Sequence, residues 1–106
     1  MSISIPNQIN ILGIHYNIKL VRNVAKEVNN IDPTSEVDKD DDISGYYLSS
    51  CTTIFIDMTM AKEQQESTLI HEILEVINCC LSLKIPHSNL ERLEVGLYQV
   101  LTENNL

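Results

Sequence analysis

The chain of 106 residues has no tryptophan, a single phenylalanine and four tyrosines, so its core has to be built from aliphatic side chains. Three glycines and three prolines are too few for a collagen-like or low-complexity segment. Basic residues are also scarce: seven Lys and Arg stand against fifteen Asp and Glu, for a net charge of −8. That balance excludes nucleic-acid binding by phosphate neutralisation, which needs clustered cations, and disfavours an anionic membrane surface. It suits a basic protein partner. No apolar run approaches the length that crosses a bilayer. Cys51, Cys79 and Cys80 are odd in number and two are adjacent, which is no disulfide framework. Met1 to Asn7 offers neither a basic stretch nor a small-residue cleavage site, so no secretory signal is expected. The expectation is a reduced, cytoplasmic protein forming one domain over residues 1–106, a length that sustains a real core.

Hydrophobic residues make up 43% of the chain, and their spacing orders the elements. From Asn10 to Leu20 apolar residues alternate (Leu12, Ile14, Tyr16, Ile18, Leu20), the period of a half-buried strand. Val21 to Ile31 is ambiguous: Val24 and Val28 have helical spacing, but three asparagines oppose it. Asp32 to Asp42 holds six acids and one lysine behind Pro33 and reads as a solvated loop. Asp38, Asp40 and Asp42 match the first EF-hand ligand positions. The Gly and Glu that the motif requires are replaced by Ile43 and Ser49, so calcium binding is not expected. Ser44 to Ser49 and Thr52 to Asp57 read as two strands around a turn. A long helix spans about Met60 to Cys80. After a break at Leu83 to Pro86, a last helix runs from Ser88 to Thr102 with a seam of Leu90, Leu93, Leu97 and Val100. Ser88 and Glu91 have capping-box spacing. The expected fold is α+β: a small antiparallel sheet, made of a strand plus a hairpin, packed by the long helix and the C-terminal helix.

The long helix carries the chemistry. Leu69, Ile70, Ile73, Leu74, Val76, Ile77, Cys80 and Leu81 cover one arc; Ser67, Thr68, His71, Glu72, Glu75 and Asn78 cover the other. A solvated helix face usually pairs its carboxylates with cations at i,i+4, yet no Lys or Arg occurs from Glu63 to Leu83. His71-Glu72-Ile73-Leu74-Glu75 has the spacing of the zincin helix, His-Glu-x-x-His, with Glu75 in the place of the second His. Residues at i and i+4 share a face and can share a metal. Glu72, one position on, points to the side, where a carboxylate serves as a base. Zinc accepts two His and one carboxylate with water in the fourth place, so this set needs one more His. His87 follows Glu75 with eleven residues between them.

From Asn10 to its C-terminus the chain resembles small phage and prophage zinc metallopeptidases of the minigluzincin or IrrE-like type. The resemblance runs through ILGIHYNIKLV, TTIFID, QQESTLIHEILEVIN and IPHSNLERLEVGLYQVLTEN; Asn23 to Asp42 is idiosyncratic. It implies a Zn2+ site at His71, Glu75 and His87, with the last two ligands exchanged relative to the family's His-Glu-x-x-His followed by Glu. It also implies Glu72 as general base, a peptide or protein substrate, and location in the host cytoplasm. Glu94 is the alternative third ligand, at gluzincin-like spacing and on a helix. If the long helix ends near Cys80, Leu81 to Pro86 can return extended over up to ~20 Å and bring His87 beside His71; if it persists to Leu83, Glu94 becomes the neighbour. The Ile85-Pro86 pair favours the extended return.

Other side chains are read more plainly. His15 belongs to an exposed strand face, Cys80 to the core, and Cys79 to the edge of the polar arc as a minor ligand candidate. Tyr98 is a rim residue able to offer a hydroxyl, and Gly96 permits close helix packing. The competing functional reading is a non-catalytic acidic protein that occupies a basic surface of a host protein, with a structural metal or none.

Overall fold

In the computed structural model, which describes residues 5–106, the chain is α+β, with four strands and three α-helices. Met1 to Ser4, where the segment expected to hold no secretory signal begins, lie outside the described residues. The strands are β1 (Gln8–Ile11), β2 (Ile14–Val21), β3 (Gly45–Leu48) and β4 (Thr53–Asp57), in the spatial order β1-β2-β4-β3. The helices are α1 (Val24–Ile31), α2 (Lys62–Cys80) and α3 (His87–Glu103). No described helix is long and apolar enough to cross a membrane.

Two corrections to the expected sheet follow from its topology. The run from Asn10 to Leu20 is not one strand. Leu12 (φ 53) and Gly13 (φ 88) both take positive φ, as a tight two-residue hairpin turn requires, and fold β1 back on β2. Gly13 tolerates that backbone, whereas Leu12 pays roughly 1–2 kcal/mol for it, which is why the alternation hid the turn. The Gly13 N–H donates to Asn10 Oδ1 at 2.9 Å and holds it. Nor is the sheet purely antiparallel. β4 runs parallel to β2, with Ile18 opposite Ile54, while β3 pairs antiparallel with β4. The connection from β2 to β4 includes α1 and β3, long enough for the crossover that a parallel pair demands.

The alternation of side chains along β4 divides the core. Ile54 and Ile56 face α2 together with Tyr16 and Ile18 and pack against its Leu69 and Val76. Phe55 faces the other way, against Val24, Ala25, Val28, Val37 and Leu48. α1 therefore covers one face of the sheet and α2 the other. α1 resolves the ambiguous Val21 to Ile31 stretch: the Asn23 side chain caps it by accepting from the Lys26 N–H at 3.0 Å, so an asparagine that argued against a helix starts one.

α3 packs on α2 and, beyond marginal contact, on no other element among the described residues. The expected seam is only partly buried: Leu90 is 1% exposed, but Leu93, Leu97 and Val100 are 50%, 43% and 43% exposed. The capping box does not form either. The helix starts one residue early, at His87, its cap position is Pro86, and no side chain caps it. Pro86 instead offers its carbonyl to the N–H groups of Asn89 and Leu90.

Candidate metal centre

His71 and Glu75 stand one turn apart on α2. What brings a third group to them is the way α2 ends. Ser82 adopts left-handed backbone (φ 51), the Leu83 N–H bonds the Asn78 carbonyl at 3.0 Å and the Ser82 N–H bonds that of Cys79 at 3.2 Å. This is the Schellman arrangement that closes a helix and reverses the chain. Lys84 (φ 59) turns it again. The Asn78 side chain then clamps Ile85 from both sides, donating to its carbonyl and accepting from its N–H, each at 3.0 Å. The return from Leu81 to Pro86 is thus a compact double reversal, not the extended run expected. It sets His87 in the first turn of α3 with its ring centre 4.9 Å from that of His71.

His71, Glu75 and His87 each present one ligand atom, and these atoms lie within 4.8 Å of one another. Both imidazoles are held by carboxylates of α3. His71 Nδ1 is 2.9 Å from Glu94 Oε1, while the other Glu94 oxygen accepts from the Ser67 hydroxyl. His87 Nε2 is 2.9 Å from Glu91 Oε1, and its Nδ1 faces Glu75 Oε1 at 3.6 Å. Engaging one nitrogen of an imidazole fixes the ring and leaves the other free to coordinate, which is the usual company of a metal-binding His. Glu94, the alternative third ligand, is therefore occupied as a partner of His71 and stands apart from the three-residue group. The donor set, two imidazoles and one carboxylate with room for a fourth ligand, is one that suits Zn2+.

Glu72 is buried although it belongs to the polar arc. β3 crosses α2 at Gly45, so closely that a Cβ there would lie 2.5 Å from Thr68 Cγ2 and 3.4 Å from Glu72 Cγ. Glycine is required by this approach, and the approach covers Thr68 and Glu72. Burial first, and then the charges of Glu75 and Glu94, push the Glu72 carboxyl up to about 8. A carboxyl held near neutrality can both take and return a proton at physiological pH. It opens on a cleft of about 860 Å³ between α2, the start of α3 and the Asp42 to Tyr47 stretch, which His71, Glu75 and His87 also line.

The remaining residues fall outside this constellation or at its margin. Cys79 lines the cleft. Cys80 is exposed, contrary to its expected place in the core, with Sγ 3.8 Å from the Tyr16 hydroxyl. His15 is exposed on β2. Tyr98 spends its hydroxyl on Glu66 Oε1 at 2.8 Å rather than on the cleft. The acidic loop caps its own backbone: Asp38 Oδ1 accepts from the Asp40 N–H and Asp41 Oδ2 from the Asp38 N–H. The roles of four residues have little or no mark in the sequence. Ser67 carries a faint signal, one turn before His71. A glycine inside a strand, Gly45, marks a close backbone approach. The buttressing by Glu91 and Glu94 depends on how α3 docks and has no local signal.

Comparison of the chain with protein-family models, with curated proteins and with solved structures returns no match.

Proposed function

We propose that this chain is a small zinc-dependent metallopeptidase of the zincin kind, acting on a peptide bond through His71, Glu75, His87 and Glu72. The observation that carries the reading is the convergence of two imidazoles and one carboxylate within 4.8 Å, beside a buried carboxyl that opens on the same cleft. When bound, Zn2+ polarises a carbonyl oxygen and makes water acidic enough to attack near neutral pH. Glu72 takes the proton of the attacking water and delivers it to the leaving amine; a bound cation favours its carboxylate form, the form a base needs. Glu94 and Glu91 hold the imidazoles in place throughout.

The substrate that fits is an extended peptide. The strand Thr52 to Asp57 offers no free edge for it, because β4 lies inside the sheet. β3 is the outer strand on that side, and Gly45 to Tyr47 border the cleft, so the unpaired edge of β3 runs alongside the metal ligands. Edge pairing supplies main-chain hydrogen bonds without demanding a particular sequence. Three free cysteines, two of them exposed, fit a reducing compartment such as the cytoplasm of a host cell.

The test begins with elemental analysis of protein purified without chelator. The reading expects one zinc per chain, lost in His71→Ala and strongly weakened in Glu75→Gln and His87→Ala. Glu72→Gln keeps the zinc and loses hydrolysis of a peptide library. A chain that takes up no zinc, even when zinc is added, sinks the reading. The acidic, non-catalytic binding protein then stands in its place, and reversing surface carboxylates, not Glu72→Gln, abolishes biological activity.

A further inference from the structure

α3 presents a second feature, on the flank away from the metal centre. Asn89, Leu93, Gly96, Val100 and Glu103 follow one another in steps of four, three, four and three, the spacing that draws a straight seam along a helix. Leu97 adjoins it. Leu93, Leu97 and Val100 are 50%, 43% and 43% exposed. Glu91 and Val95, which line the cleft, lie on the opposite side of the helix.

Gly96 is unexplained by its own chain. Its backbone is helical, and a Cβ placed on it would meet nothing within 4 Å. A helix-interior glycine costs about 1 kcal/mol relative to alanine, so some close approach has to justify it, and none is made among the described residues. A neighbouring helix seated on the seam would make one. The charges beside the seam identify that neighbour. Arg92 makes no ion pair among the described residues. Glu103, on the same flank three turns later, bonds only the Gln99 side chain. When two identical helices pair antiparallel, like flanks meet. A two-fold axis near Leu97 therefore sets Arg92 of each copy against Glu103 of the other, twice over.

We infer that the chain forms a homodimer through antiparallel pairing of α3, with Leu93, Gly96, Leu97 and Val100 at the contact and both metal clefts open to solvent. The pairing buries Leu93, Leu97 and Val100 and balances Arg92 against Glu103. It has to overcome the repulsion of two chains of net charge −8, so it tightens as salt screens that repulsion. It is independent of zinc.

Sedimentation equilibrium of the full chain, from low micromolar to several hundred micromolar, tests it. The expected mass rises from 12.0 kDa to twice that, more readily at higher salt. Gly96→Gln fills the close approach without touching the monomer, and weakens association roughly tenfold or more with an unchanged circular dichroism spectrum. Arg92→Glu and Glu103→Arg each weaken it, and the double reversal restores it. A mass of 12.0 kDa at every concentration overturns the inference. So does a dimer whose affinity survives Gly96→Gln, or one in which the double reversal recovers nothing.

Discussion

Glu94 Oε1 sits 2.9 Å from His71 Nδ1, and the same carboxylate takes the Ser67 hydroxyl on its other oxygen. A residue of α3 thereby fixes the ring orientation of a residue of α2, and the residue that spacing nominated as an alternative ligand holds a candidate ligand. Glu94→Gln should leave zinc stoichiometry at saturation intact but weaken affinity about 10–100-fold, read by competition with a chromophoric chelator. Total loss of zinc, equal to that of His71→Ala, would mean that Glu94 coordinates directly.

The Glu72 carboxyl makes the metal-free protein sensitive to pH in a defined direction. Its folded value near 8 lies above the ordinary value of 4.5, so between those values the folded state binds more protons than the unfolded state. Stability therefore falls as pH rises from about 4.5 to about 8 and levels off above, by up to about 5 kcal/mol. Urea unfolding in the presence of chelator measures the slope. Glu72→Gln should flatten it and be the more stable form at pH 9. A bound cation favours the carboxylate and should also flatten it.

Gly45→Val tests the crossing that buries Glu72. The new side chain collides with Thr68 Cγ2 and the carbonyl of Phe55, and such overpacking costs typically 1–3 kcal/mol. The denaturation midpoint should drop accordingly. Because β3 must lift from α2, the pH slope attributed to Glu72 should shrink in the same variant.

Asn78→Ala removes both hydrogen bonds that hold Ile85. The stability loss should be about 1–3 kcal/mol. Zinc affinity should fall with it although Asn78 is no ligand, because His87 is positioned through that clamp. A loss of stability with unchanged zinc affinity would show that Pro86 and the helix closure suffice to place His87.

Local periodicity determined much of this protein unaided. Both long helices, the β3–β4 turn and the shared face of His71 and Glu75 follow from spacing along a single element, where backbone geometry leaves little choice. Three matters lay beyond it. The parallel pairing of β2 with β4 depends on contacts between strands far apart in sequence, and alternation along one strand does not say which neighbour it takes or in which direction. The burial of Glu72 depends on β3 crossing α2 at Gly45, so a residue on a polar arc became a desolvated carboxyl through a neighbour's backbone. The placing of His87 beside His71 and Glu75 turned on Ser82, Lys84 and Asn78, whose left-handed backbone and side-chain clamp arise only when the end of α2 closes against the start of α3. Chemistry that resides in one element is written in its spacing; chemistry shared between elements is decided where they pack.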